Sequence, residues 1–344
     1  METKPVLQQA LDAVVGAERS EWLFQVLEVP QALIEETGPN ISRAGIAQAL
    51  NMMLFDDLLA RVPDARLYTG DCLRDGKKIM HDHGAVRTVN LEGMGALPAG
   101  EEAITRILRP LGYALNGVYP LERLKMTGRS HAQVEFPEEL AQFFISELHP
   151  DRFSSEFQAA VARVMSTCTD PLTPEAYKLL AKLDADRKLT VDEAIELLPS
   201  LANVFTRRHE VPTIADYEAL LAESAEMAWI STEGNAFNHA TDRVADVDAV
   251  AAEQKRLGRA MKATVETSQS GRVRQTAFLA ERVHRSFRAA DGTLTGREVN
   301  GSFYEFITRL PLPEEEGKHG LDLSFDSSNA QAIFKMTANA VGAK

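Results

Sequence analysis

The chain has 344 residues, of which 44% are apolar and 25% charged, with a formal net charge of -13. This is the composition of a folded globular protein, and the length exceeds what one core usually serves, so one large domain with insertions or two fused modules is expected. Lys and Arg are scattered, which leaves no electrostatic footprint for DNA, RNA or an anionic membrane and points to a small-molecule partner.

Residues 1–65 read as an N-terminal helical arm, because apolar residues recur every three or four positions over 41–62 behind a Ser42 cap. Residues 66–150 read as a β-rich module interrupted by one helix. Residues 151–233 form a predicted all-helical insertion, where Thr173-Pro174-Glu175 places a cap before a first-turn proline, Thr190 and Glu193 make a capping box, and Thr213 opens a further helix. Residues 234–344 contain a second β-rich module and a C-terminal segment.

The two modules share landmarks in the same order. His83 and Arg87 have the spacing His-x-x-x-Arg, as do His239 and Arg243. In each copy a helical stretch ends at Leu-Gly (Leu111-Gly112 and Leu257-Gly258), and Gly-Arg then opens a strand-like run (Gly128-Arg129 and Gly271-Arg272). A strand, helix, strand, strand unit used twice predicts an α+β fold, with paired βαβββ-type modules building one curved mixed sheet.

With only Cys72 and Cys168 and no CxxC, a metal site has to be built from His and carboxylate. A pseudo-twofold relation between the modules would bring His83 and His239 face to face across their seam. Glu305 lies in an aromatic strand-like run, on the side opposite Tyr304 and Phe306. Two His and one carboxylate leave three open positions, the arrangement with which non-haem Fe(II) oxygenases bind a bidentate substrate and O2 together.

A lone strand histidine is ordinarily structural, and it is the repeated placement that singles out this pair. His81, two residues before His83, is expected on the same strand face. Arg87 is expected there too, where its planar fork suits a substrate carboxylate, and Arg274 is a second candidate clamp. Identical ligands also accept Mn, Zn, Ni or Co, so a purified sample can carry any of these.

The run His81-Asp82-His83-Gly84-Ala85-Val86-Arg87, then Asn238-His239 with Thr241 and Arg243, Arg274-Gln275-Thr276, Phe303-Tyr304-Glu305-Phe306 and the segment from Asn329 to Phe334 resemble the 2-oxoadipate dioxygenase/decarboxylase (hydroxyglutarate synthase) family in motif and order. The resemblance implies a vicinal-oxygen-chelate fold. It also implies an Fe(II) enzyme of lysine breakdown that converts 2-oxoadipate and O2 to 2-hydroxyglutarate and CO2. On that basis His83, His239 and Glu305 match the metal ligands, Arg87 matches the arginine on the distal carboxylate, and Ser328 and Asn329 match a substrate-contacting segment. Where long members of the family carry Val-Ser, this chain has Ser328-Asn329.

Two other functions compete. A glyoxalase-like isomerase or lyase on the same fold would want a fourth protein ligand, whose strand should follow residue 140; residues 138–148 instead read as a helix, leaving Glu135 as the nearby substitute. A non-catalytic small-molecule binding protein would need no metal. No apolar run reaches the roughly 18 to 20 residues of a spanning helix, and the N-terminus has no secretion signal, so a cytoplasmic location is expected.

Overall fold

The structure is a computed structural model that describes residues 4–313 and 320–327. The first helices are α1 (Val6–Val15), α2 (Ala17–Val26) and α3 (Gln31–Ile34). After β1 (Asn40–Ser42), the Ser42 hydroxyl accepts from the Gly45 N–H and starts α4 (Arg43–Arg61). Buried residues lie on nearly every side of α4, which makes it the central helix behind the sheet. Pro63 then opens α5 (Pro63–Arg74), so helix continues past the expected end of the arm.

The first module is β2 (His81–Val89), α6 (Glu102–Leu108), β3 (Tyr113–Leu121), β4 (Met126–Gln133) and β5 (Gln142–Leu148). Residues 142–148 are therefore strand, not the expected helix. Their run Gln-Phe-Phe-Ile-Ser-Glu-Leu is buried at every position. A strand covered on both faces loses the alternation that marks a strand in sequence, which is why the helical spacing misleads there.

Between the modules lie α7 (Ser155–Met165), α8 (Pro174–Asp186), β6 (Lys188–Thr190), α9 (Val191–Val204), α10 (Ile214–Glu223) and α11 (Ala225–Glu233). Thr173 and Thr213 cap α8 and α10, and Thr190 with Glu193 closes a full capping box on α9. Strand β6 pairs with β1, which ties this region to the N-terminal helices.

The second module is β7 (His239–Arg243), α12 (Val247–Arg256), β8 (Glu266–Thr267), β9 (Val273–Ala277) and β12 (Phe303–Arg309), with a hairpin of β10 (Arg282–Arg288) and β11 (Leu294–Asn300) inserted before its last strand.

Both modules join one curved eight-stranded sheet in the order β3-β4-β5-β2-β7-β12-β9-β8. The order is symmetric about the antiparallel β2–β7 seam: β2 runs parallel to β5 on one side, and β7 parallel to β12 on the other. The back face presents Val86, Phe143, Ile145, Tyr304 and Phe306 to a core shared with α1, α4, α8 and α9. The front face carries His83, His239, Thr241, Ser146 and Glu305 among apolar residues such as Ala85 and Phe144. Among the described residues, no helix is long and apolar enough to cross a membrane.

Candidate metal centre

Cross-strand register brings the candidate ligands together. Strand β7 pairs Ala85 with His239 and His83 with Thr241, and β12 pairs Glu305 with Thr241, so all three candidates stand at neighbouring levels of adjacent strands. One ligand atom from each of His83, His239 and Glu305 lies within 4.8 Å of the others, although the residues are far apart in sequence. The Glu305 Oε2 is 3.2 Å from His83 Nε2 and 3.4 Å from His239 Nε2. Thr241 donates its hydroxyl to the same oxygen at 2.7 Å. All three side chains are buried.

The local electrostatics set His239 and Glu305 in the forms that can ligate. Burial drives the His239 pKa down to about 3, so its imidazole is neutral with lone pairs to offer. Burial opposes ionisation of Glu305, but His239, His83 and the Thr241 hydroxyl outweigh it and lower its pKa. At His83 burial again disfavours charge, yet the Asp82 and Glu305 carboxylates prevail and raise the pKa. Glu305 Oε1 and His239 Nδ1 are buried with no hydrogen-bond partner among the described residues. Buried polar atoms are normally satisfied. Two imidazoles and a carboxylate with an unspent oxygen, gathered in a buried site, fit a divalent metal.

Behind His83 stands Asp82, for which the sequence offered only its place between two histidines. A β-bulge between His81 and His83 sets two residues of β2 against one of β7 and breaks the alternation of faces. As a result His81 turns to the helix side, where its ring packs 5.3 Å from Phe55, and it is not on the His83 face as expected. The same bulge lets the Asp82 carboxylate accept from His83 Nδ1 at 2.8 Å, leaving Nε2 for a metal. Asp82 is fully buried and held by Arg309 and Arg243. Those guanidiniums and His83 overcome its burial and keep its pKa well below the usual carboxylate range.

Around the cluster is a small cavity of about 30 Å³, lined by Ala85, Phe144, Ser146, Asn238, Gln275 and Phe325 as well as the three candidate ligands. Arg87 lies beyond Ala85 on the same strand face, fully buried, with its guanidinium 4.8 Å from the Trp229 ring. Burial lowers its pKa only to about 10, so it remains a cation at neutral pH. Arg274 is not brought to the site: its neighbour Gln275 faces the cavity, whereas Arg274 turns outward to pair with Asp248 of α12. Ser328 and Asn329 lie outside the described residues. Glu135, the expected substitute for a fourth ligand, pairs with Arg43 away from the cluster.

The pseudo-twofold identifies the fourth position directly. Glu305 pairs with the residue two after His239, and Phe144 pairs with the residue two after His83, so Phe144 is the counterpart of Glu305. Its phenyl ring offers no ligand. A larger cleft of about 640 Å³ opens beside α5 and α12, next to Tyr68, Cys72 and Asp242, but it holds none of the candidate ligands.

A family model described as 2-oxoadipate dioxygenase/decarboxylase matches residues 57–341. The chain belongs to that family. One curated relative of this family member is the chloroplastic 2-oxoadipate dioxygenase/decarboxylase of Arabidopsis thaliana, 23% identical over 295 residues that span 76% of this chain and 69% of the plant protein.

A solved structure from Ralstonia eutropha JMP134, described as a glyoxalase superfamily protein, is 54% identical with a TM-score of 0.89 and covers 94% of this chain and 98% of its own. The hydroxyglutarate synthase of Oryza sativa, solved in complex with 2-oxoadipate, shares the fold at 20% identity with a TM-score of 0.67, covering 88% of this chain and 96% of its own.

Proposed function

We propose that this family member is an Fe(II)-dependent dioxygenase/decarboxylase of 2-oxo dicarboxylic acids, acting on 2-oxoadipate and O2 to give 2-hydroxyglutarate and CO2 in lysine breakdown. Atoms balance in that conversion: the carboxylate beside the keto group leaves as CO2, one atom of O2 turns the keto carbon into the new carboxylate, and the other becomes the hydroxyl of a diacid one carbon shorter. The observation that carries the reading is the ligand set itself, with three donors on the front face and Phe144 where a fourth would be.

His83, His239 and Glu305 would hold the metal. Fe(II) there would supply a redox-active centre able to bind a 2-oxo acid and O2 together, with the substrate providing the electrons. The chain's own residues do the rest. Asp82 keeps His83 in one tautomer, and Thr241 fixes one oxygen of Glu305, so the donor atoms stay aimed at a common point. Phe144 and Phe325 form an apolar wall that limits water.

We assign the far carboxylate to Arg87, a buried cation that lies beyond Ala85 on the strand carrying His83. Its bidentate fork, pressed against Trp229, orients the acid end to end. A glyoxalase-like isomerase would use the fourth ligand that Phe144 withholds.

Anaerobic loading with Fe(II), followed by a panel of 2-oxo acids with O2 uptake and CO2 release recorded, tests the reading. One O2 consumed and one CO2 released per 2-oxoadipate, with no added 2-oxoglutarate, is the expected result. No O2 uptake with any 2-oxo acid, together with isomerisation of a hemithioacetal, would hand the site to the isomerase chemistry.

A further inference from the structure

The wall over the cavity and the ligand beneath it share one residue. Residues 320–327 cross the front of the sheet, and Phe325 sits with its ring 4.8 Å from His83 in an edge-on contact and 4.8 Å from Phe144. Arg309 holds this crossing from below. Its Nη1 donates to the backbone carbonyls of Asp322 at 2.8 Å and Ser324 at 2.7 Å, and its guanidinium lies 4.8 Å from the Phe325 ring.

The opposite edge of the same guanidinium donates through Nε and Nη2 to the Asp82 carboxylate, at 2.9 Å each to its Oδ2 and Oδ1. Asp82 in turn accepts from His83 Nδ1. Both Arg309 and Asp82 have no exposed side-chain surface. Burying an ion pair this completely is costly unless its hydrogen bonds are complete, and replacing such a pair with apolar residues is often neutral or better, so general stability does not explain it. Arg309 also sits four residues after Glu305 on β12, so one strand supplies both the carboxylate candidate and this guanidinium.

We propose that Arg309 is a positioning residue that couples the seating of Phe325 over the cavity to the orientation of the His83 imidazole, through Asp82. The proposal rests on the metal reading of His83, His239 and Glu305. Its consequence is a gate. A cavity of about 30 Å³ has room for two or three waters. Seating a six-carbon acid there would displace part of the lining, and among the described residues Phe325 both lines the cavity and touches a candidate ligand. When the 322–325 crossing shifts, Nη1 of Arg309 is freed from two carbonyls, the guanidinium is free to turn, and the hold of its Nε and Nη2 on Asp82, and hence on His83, changes with it. Wall closure and ligand alignment are then one event.

Co(II) is the probe, because its visible ligand-field bands report ligand orientation, which stability alone does not move. The full-length protein is titrated with Co(II) as wild type and as Arg309→Lys, Asp82→Asn, Phe325→Leu and the Phe325→Leu/Asp82→Asn pair. Lysine keeps the charge but cannot hold two carbonyls and a carboxylate at once. Arg309→Lys and Asp82→Asn are each expected to weaken Co(II) binding about tenfold or more and to alter the bands.

Phe325→Leu should shift the bands in the wild-type background and leave them unmoved in the Asp82→Asn background. If Arg309→Lys does not fold, the Phe325/Asp82 cycle decides alone. Unchanged Co(II) affinity and bands in a folded Arg309→Lys protein, or a Phe325→Leu shift of equal size in both backgrounds, would overturn the coupling while leaving the metal site intact. A wild-type protein that takes up no Co(II) would overturn the metal reading first.

Discussion

Two buried aspartates close to the seam are pushed in opposite directions by their neighbours. Asp82 faces two guanidiniums, so its folded pKa lies below the unfolded value and its contribution to stability is present at neutral pH and lost only in acid. Asp242 lies on the other side of β7, where burial raises its pKa to about 7, even though Tyr68 donates to it at 2.5 Å and the Met80 N–H at 3.1 Å. An acid whose folded pKa is raised contributes stability that is full below its unfolded pKa and disappears as pH climbs through the folded value. Asp242→Asn should therefore flatten the loss of stability between about pH 4 and pH 7, by at most about 4 kcal/mol. Urea melts of both proteins at pH 5 and pH 8 measure this, and equal differences at the two pH values would contradict it. At the candidate ligands, Glu305→Ala should leave less than one equivalent of bound metal after dialysis. Arg87→Lys should keep the full equivalent while turnover drops, since an ammonium cannot grip a carboxylate through two parallel bonds; wild-type kinetics would return Arg87 to a structural role.

At the scale of strands, the pairing of the modules was legible in the His-x-x-x-Arg spacing shared by β2 and β7 and in the Leu-Gly that follows α6 and ends α12. Gly128-Arg129, by contrast, lies inside β4 whereas Gly271-Arg272 precedes β9, so that third marker is not equivalent. His83 and His239 are in fact adjacent across β2 and β7. Helix starts were equally legible, since a cap is a local device: Ser42, Thr173, Thr190 and Thr213 all accept from the first turn of their helices. What the sequence could not show depends on the partner strand. The bulge that separates His81 from His83 exists only in the register with β7, and the outward turn of Arg274 follows from the face that β9 presents. Strand β5 was hidden because both its faces are covered. With its register now explicit, Phe144 becomes the site of an element-level test. Phe144→Glu would place a carboxylate at the symmetric counterpart of Glu305. The variant is expected to bind metal at least as tightly and to lose O2 uptake, since an added ligand takes a position the substrate needs. Undiminished O2 uptake in a folded, metal-loaded Phe144→Glu protein would show that the carboxylate does not reach the site. Gly84, between His83 and Ala85, marks how closely the back of this seam is packed: a Cβ there would lie 2.1 Å from the Phe237 ring.

For the whole molecule, the net negative charge and scattered cations turned attention from polymers to a small substrate, and the front of the sheet, where the candidate ligands stand, is where the proposed substrate would sit. The sheet sets a length scale as well. Arg87 lies four residues along β2 from His83, and with about 3.3 Å of rise per residue their Cα atoms stand roughly 13 Å apart, a gap that the two inward-reaching side chains shorten. A diacid chelated at one end near His83 can place its other carboxylate beside Arg87, with Ala85 and Phe144 along its methylenes. Chain-length preference should follow. A monocarboxylic acid of equal length, 2-oxohexanoate, would bring a methyl group to a buried cation and should react more slowly than 2-oxoadipate by about 2 to 4 kcal/mol in kcat/KM. A shorter diacid should lose less, because it retains the charge and gives up only reach. Arg87→Met ought to erase the difference between the two six-carbon acids by slowing the diacid. Equal kcat/KM for 2-oxohexanoate and 2-oxoadipate in the wild-type enzyme would leave the metal chemistry standing and remove Arg87 from substrate recognition.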